Sequence, residues 1–233
     1  MRLFAIGDLH LSGGDDKPMD VFGPQWDRHF LRISEAWRAT VQEEDTVLIP
    51  GDISWAMQLK DARPDLEAIG ELPGRKILCK GNHDYWWNSA TQVRSILPKG
   101  MTALQHDAAD LESCVVCGTR GWTIPTEGAP LEEDDEKIYR REALRLGMAL
   151  ESARRIAGGR PIAVMMHYPP LTPADRDNLF IRTLEEGGAG LVVYGHLHGA
   201  GIRSGFSGEH HGIQYRLVSC DSIGFAPLDL NWP

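Results

Sequence analysis

The sequence predicts a layered α/β domain built around mixed β-sheet. Three observations lead there. Short apolar runs recur along the 233 residues, each closed by polar turn residues. Helical patterns separate several of these runs early in the chain, and strand-rich segments dominate its last part. No internal repeat or low-complexity linker divides it, so one domain over 1–233 is expected.

The first strand is expected over 2–7, where Leu3, Phe4, Ala5 and Ile6 form an apolar run. A helix over 27–44 follows, because Phe30, Ile33, Trp37 and Val41 share one face, with Asp27 expected as its N-cap. Strands at 46–50 and 75–80 flank a helix at 60–71, and a helix at 88–97 precedes a strand at 114–119. The acidic run Leu131 to Glu136 reads as a solvated face leading into a helix at 136–157. A strand at 161–166, a helix at 176–187 and strands at 190–195 and 213–219 complete the pattern.

Composition narrows the partners. A formal charge of −9 opposes broad attraction to nucleic acid or to an anionic membrane. No apolar run approaches the roughly 18 residues of a membrane span. The stretch Met1 to Ile6 is too short for a signal peptide, and Asp8 and His10 interrupt it. A soluble, cytoplasmic chain is expected, with neither membrane nor nucleic acid as partner. Of the four cysteines, Cys114 and Cys117 have metal-site spacing, but residues i and i+3 of a strand face opposite ways. Reduced core thiols are expected instead.

The strand exits carry the chemistry. The first ends in Gly7-Asp8-Leu9-His10, the second in Gly51-Asp52 and the third in Gly81-Asn82-His83-Asp84. Later ones end in His167 and in Gly195-His196-Leu197-His198. Singly, each reads as turn punctuation or a core histidine. Five exits delivering Asp, Asn or His at the same strand end, where open α/β sheets bind ligands, point to a metal centre. Asp8 with His10, and His196 with His198, are i and i+2 pairs that converge in extended chain.

Two carboxylates, one amide oxygen and four imidazoles suit manganese foremost, or iron, zinc, cobalt or nickel, rather than calcium. Seven ligands exceed one ion's needs, so two ions sharing a bridging carboxylate are expected. Two ions carry about +4, and Asp8, Asp52 and a bridging hydroxide return about −3. The net positive pocket attracts an anion, with phosphate esters the obvious class.

The ordered set D-x-H, G-D, G-N-H-D, H and G-H-x-H, from Asp8 to His198, resembles the calcineurin-like metallophosphoesterases. The resemblance implies a four-layer α/β-β/α sandwich of two mixed β-sheets flanked by helices. It implies one metal held by Asp8, His10, Asp52 and His198, and another held by Asp52, Asn82, His167 and His196, with Asp52 bridging. It also makes His83 the group that assists the leaving oxygen, with Asp84 orienting that imidazole. The implied reaction is phosphate mono- or diester hydrolysis by attack of a metal-bridging hydroxide, as in a small phosphodiesterase acting on a small phosphate ester, nucleotides among the candidates.

Two departures stand out. Many relatives carry an acid three residues after the bridging aspartate, where this chain has Trp55, and the Asp-Arg-Gly extension of protein phosphatases is absent. Trp55, Tyr85, Trp86, Trp87 and Trp122 fall near the motif loops and are equally ready to line a pocket or fill the core. The Gly- and Asp-rich segment Leu11 to Gln25 lies beside the centre as a gate or a plain connection. His29, His106, His210 and His211 fit no ligand spacing, and the last two read as a hairpin tip. The alternative is a catalytically inactive scaffold of the same fold, which should have lost ligands or His83; all are present here. A dinucleotide binder would need G-x-G-x-x-G after the first strand, which is missing.

Overall fold

The computed structural model describes residues 1–12, 19–126 and 128–232. In chain order its strands are β1 (Leu3–Ala5), β2 (Thr46–Pro50), β3 (Arg75–Cys79), β4 (Met101–Ala103), β5 (Ala108–Asp110), β6 (Val115–Thr119), β7 (Ile162–Met166), β8 (Leu191–Tyr194), β9 (Gly208–His210), β10 (Ile213–Leu217) and β11 (Leu228–Asp229). The helices are α1 (His29–Thr40), α2 (Leu59–Gly70), α3 (Ala90–Arg94), α4 (Glu133–Ala157) and α5 (Leu179–Gly187).

The strands form two mixed sheets, ordered β11-β1-β2-β3-β4 and β5-β6-β7-β8-β10-β9. In each, the central strands run parallel, while β11, β5 and β9 pair antiparallel at the edges. Alternation along each strand assigns its faces. Ala5, Leu48, Ile77 and Cys79 of the first sheet meet Val116, Ala163, Met165 and Val193 of the second in an apolar layer between them. Their neighbours Phe4, Val47, Ile49 and Leu78 face Ile33, Trp37, Leu66 and Ile69 of α1 and α2. On the far side, Val115, Val164 and Val192 pack on Leu146, Leu150, Phe180 and Leu184 of α4 and α5. This is the α/β-β/α sandwich. Cys114 and Cys117 lie in different layers, as their spacing requires, and all four cysteines are buried free thiols.

Helix ends differ from the sequence reading for local reasons. Asp27 does not cap α1: Arg28 stands at the N-cap in a left-handed conformation (φ 46°), behind a 3-10 turn at Pro24–Trp26. α4 starts at Glu133, three residues early, because acids in its first turn are favoured by the helix dipole. α5 starts late, at Leu179, where the Asn178 side chain accepts from the amides of Phe180 and Ile181. No helix among the described residues is long and apolar enough to cross a membrane.

Candidate metal centre

The parallel strands bring five loops to one edge. Asp8 and His10 follow β1, Asp52 follows β2, Asn82 and His83 follow β3, His167 follows β7, and His196 and His198 follow β8. The turns are bent hard. Asp8, His10, Asp52 and His196 all have positive φ, between 46° and 74°, a region that non-glycine residues rarely occupy. Glycines make room at two of these turns. A Cβ on Gly81 would lie 2.1 Å from Asp52 Oδ1, and one on Gly195 would lie 2.1 Å from Asp8 Oδ2. Each glycine therefore lets a carboxylate from another strand approach its backbone.

The side chains gather in two lobes. In one, His10 Nε2 lies 3.3 Å from His198 Nε2, which lies 3.4 Å from Asp8 Oδ1. In the other, Asn82 Oδ1 lies 2.7 Å from His167 Nε2 and 2.9 Å from His196 Nδ1, and those two nitrogens are 3.3 Å apart. Asp52 Oδ2 stands between them, 3.8 Å from His10 Nε2 and 3.4 Å from His167 Nε2. Ligand atoms on one ion with bonds of about 2.1 Å sit roughly 3.0–3.4 Å apart. Paired imidazole nitrogens facing each other at that spacing fit a shared cation better than a hydrogen bond. The groups Asp8–His10–His198 and Asp8–Asp52–His167 each bring their donor atoms within 4.8 Å of one another, and could hold metal. The structure thus brings together all seven expected ligands.

Outer contacts fix which ring nitrogen faces the centre. His167 Nδ1 lies 3.0 Å from the Pro50 carbonyl, which leaves Nε2 inward. His198 Nδ1 lies 2.8 Å from Asp221 Oδ1, whose other oxygen accepts from the Gly199 amide at 3.0 Å. Asp221 was missed in the sequence. It sits in a 3-10 turn at Cys220–Ile223 after β10, with no motif spacing to mark it. Carboxylate–histidine support of this kind orients a ligand and raises its basicity. Asp221→Ala is expected to weaken divalent-metal binding by about 10- to 100-fold, read by isothermal titration. Unchanged affinity would show that His198 needs no such support.

Burial would raise the Asp8 carboxyl, but its hydrogen bond to His198 and the charges of His167, His198 and His10 bring it down to about 2. Burial raises Asp52 to about 7, opposed by His167 and reinforced by Asp8 and Asp84. Burial also depresses His10 to about 3 and His196 to about 4. His198 moves the other way, to about 10: burial disfavours its charge, but hydrogen bonds to Asp221 and Asp8 overcome it.

Asp84 corrects the sequence reading. Its Oδ1 accepts from the amides of Ile53 (2.9 Å) and Ser54 (3.2 Å) and from the Trp86 indole (3.1 Å), and its Oδ2 accepts from the Gly81 amide (2.8 Å). Both oxygens are committed to the loops after β2 and β3, whereas His83 Nδ1 is buried with no partner among the described residues. Asp84 ties two ligand-bearing loops together and does not orient His83. The His83 amide donates to Asp52 Oδ1 at 2.8 Å, and its ring lies against Trp55, with centroids 4.5 Å apart. Burial and the His167 charge lower the His83 pKa.

The aromatics divide. Trp86 and Trp87 are fully buried in the core under the first sheet. Trp55 stacks on His10, with centroids 4.8 Å apart and planes at 20°. Tyr85 is exposed, and Trp122 packs on Tyr168. A cavity of about 280 Å³ opens beside the first lobe, lined by His10, His83 and His198 together with Trp26, Trp55, Met19 and Phe22. Of the segment Leu11 to Gln25, residues 13–18 lie outside the described residues. His29 Nε2 lies 2.9 Å from the Leu9 carbonyl, steadying the turn that carries His10. His211 falls in the turn between β9 and β10, next to His210.

Residues 1–200 match the calcineurin-like phosphoesterase family, and the chain belongs to it. It is similar to the Gene 66 protein of Mycobacterium phage D29, 41% identical over 87 residues, which are 36% of this chain and 40% of that protein. The Gene 66 protein of Mycobacterium phage L5 is 37% identical over 79 residues, 33% of this chain and 37% of its own length. The chain thus spans about two fifths of the curated relatives it matches. Among solved structures, a phosphopantetheinyl hydrolase from Mycobacterium tuberculosis superposes with a TM-score of 0.54 at 14% identity, covering 94% of this chain and 88% of that one. A protein of unknown function from Aquifex aeolicus superposes with a TM-score of 0.53 at 16% identity, covering 97% and 94%. At such identities these two likenesses speak for the fold.

Proposed function

We propose that this protein is a dinuclear metal-dependent phosphoesterase that hydrolyses a small phosphate ester, a diester in first place, in the cytoplasm. The observation that carries it is Asp52 Oδ2 standing between two lobes of facing donor atoms. Asp8, His10, Asp52 and His198 would hold one divalent ion, manganese foremost, and Asp52, Asn82, His167 and His196 the other. When bound, the ions supply Lewis-acid polarisation of the phosphoryl group and a water of lowered pKa.

The chain's own groups do the rest. The cavity wall formed by His10, His83 and His198 would receive the phosphoryl group. His83, on that wall, assists departure of the alcohol by proton donation. Trp55, half-buried in that cavity beside Met19 and Phe22, offers an apolar surface for an aryl or nucleobase leaving group.

The test is hydrolysis of bis(p-nitrophenyl) phosphate and p-nitrophenyl phosphate by protein chelated and then given manganese, beside His83→Ala. Manganese-restored turnover, reduced about 10²- to 10⁴-fold by the substitution, is expected, with the diester preferred. Metal-independent turnover, or full activity in His83→Ala, would contradict the reading. Metal binding has a pH signature as well. His198 at about 10 is protonated near neutrality, yet its Nε2 must be free to hold an ion. Binding should release at least one proton, so affinity rises about tenfold per pH unit between roughly pH 6 and 8. Titration in buffers of different ionisation enthalpy reads that proton; no release would contradict the ligand role of His198.

A further inference from the structure

A second cavity, of about 230 Å³, lies where β3, β6 and α4 meet, lined by Lys80, His106, Arg120, Arg141, Glu142 and Arg145 among others. Lys80 follows β3, Arg120 follows β6, His106 lies between β4 and β5, and α4 supplies the rest. Its charge runs against that of the chain. Four cations converge on one carboxylate in a protein of net charge −9.

That carboxylate is already committed. Glu142 is 1% exposed; its Oε2 accepts from the Thr119 hydroxyl at 2.9 Å. Its Oε1 accepts from Arg145 at 2.6 Å and lies 3.7 Å from the Arg120 guanidinium. Arg120 Nε is buried with no hydrogen-bond partner among the described residues, and the exposed Arg141 lines the same cavity from α4. Lys80 places one of its three donors on the Trp87 carbonyl, at 2.6 Å. His106 holds a left-handed backbone (φ 62°) at the rim, a conformation that costs free energy and recurs where ligands are clamped. The one carboxylate, Glu142, balances only one of the four positive charges, and a buried unfilled donor beside the excess is unfavourable unless a further anion joins them.

We propose that this cavity is an anion site that takes the phosphate group of a small phosphorylated ligand, held by Arg141, Arg145, Arg120 and Lys80. Guanidinium forks match phosphate oxygens in pairs. Donors arriving from three separate elements suit a tetrahedral group with three free oxygens better than a planar carboxylate with two. The proposal does not rest on the chemistry of the metal centre. The phosphate is either the far end of a substrate cleaved at that centre or part of a separate effector.

The test is isothermal titration of inorganic phosphate into the metal-loaded full chain, wild type beside Arg141→Gln/Arg145→Gln. Because Arg145 also meets Glu142, Arg141→Gln alone, at an exposed position, serves as the variant least able to disturb folding. One class of phosphate site is expected to weaken at least about tenfold in the double variant and about threefold in the single one, since one lost charge-assisted bond costs a few tenfold at most. Phosphate binding unchanged in both variants would overturn the proposal. If the double variant also raises KM for an ester bearing a second phosphate, but not for p-nitrophenyl phosphate, the ligand is the substrate's own far end. Unchanged KM for both, with the phosphate class still lost, assigns the site to an effector.

Discussion

Asp52→Asn is expected to lower kcat/KM for phosphoester hydrolysis by at least about 10³-fold, since the lost Lewis-acid stabilisation is worth several kcal/mol. The substitution keeps the side chain's shape, and the reason for the loss is directional. Asp52 Oδ1 accepts from the His83 amide at 2.8 Å, so an asparagine would keep its oxygen there. Its NH2 would then replace Oδ2, the atom between His10 Nε2 and His167 Nε2. A donor would point where a cation needs an acceptor, and one negative charge would vanish from the middle of the centre. Folding should survive, because the backbone hydrogen bonds from Asp8 and His10 to Gly51 and Asp52 are untouched. Steady-state kinetics with metal analysis checks it. Activity within tenfold of wild type would mean that the two lobes do not act through a shared carboxylate.

Asp84→Ala is expected to cost stability rather than chemistry alone. The carboxylate is fully buried and accepts four N–H donors. Leaving a buried donor unsatisfied costs about 1–3 kcal/mol, so the sum is about 4 kcal/mol even if water rescues some of them. For a chain of this size that lowers Tm by about 10 °C. Asp84→Asn should lose less, because its oxygen still serves the Ile53, Ser54 and Trp86 donors while its NH2 opposes only the Gly81 amide. Thermal unfolding of both variants decides between two roles. If Asp84 instead acted through His83, Asp84→Asn would depress kcat with Tm unchanged.

The legible part of the molecule is the part that repeats a physical rule. Central strands such as β2, β3 and β7 announce themselves because a strand covered on both faces reads as a continuous apolar run. The candidate ligands were legible for a related reason: parallel strands deliver their exits to one edge, so turns alone do not account for Asp, Asn and His at five of them. β4, β5, β9 and β11 were not read, being two or three residues long and at sheet edges, with only one neighbour to shape them. Asp84 was misassigned because adjacency in sequence suggested a partnership with His83, whereas the turn aims its carboxylate back at amides from another strand exit. Asp221 was invisible because its meaning depends on where His198 lands. The basic cavity was hidden likewise: Lys80, Arg120 and Arg145 are far apart in sequence, and the acidic composition masked their convergence.

The most direct test of the account is the metal content of protein stripped by chelation, reloaded with manganese and freed of excess ion, measured by elemental analysis. Asn82→Ala would be measured alongside, because among the described residues Asn82 Oδ1 contacts only the His167–His196 lobe. The account predicts two manganese ions per wild-type chain and one in the variant. Wild-type protein that retains none, or a variant that retains as many as wild type, would contradict it.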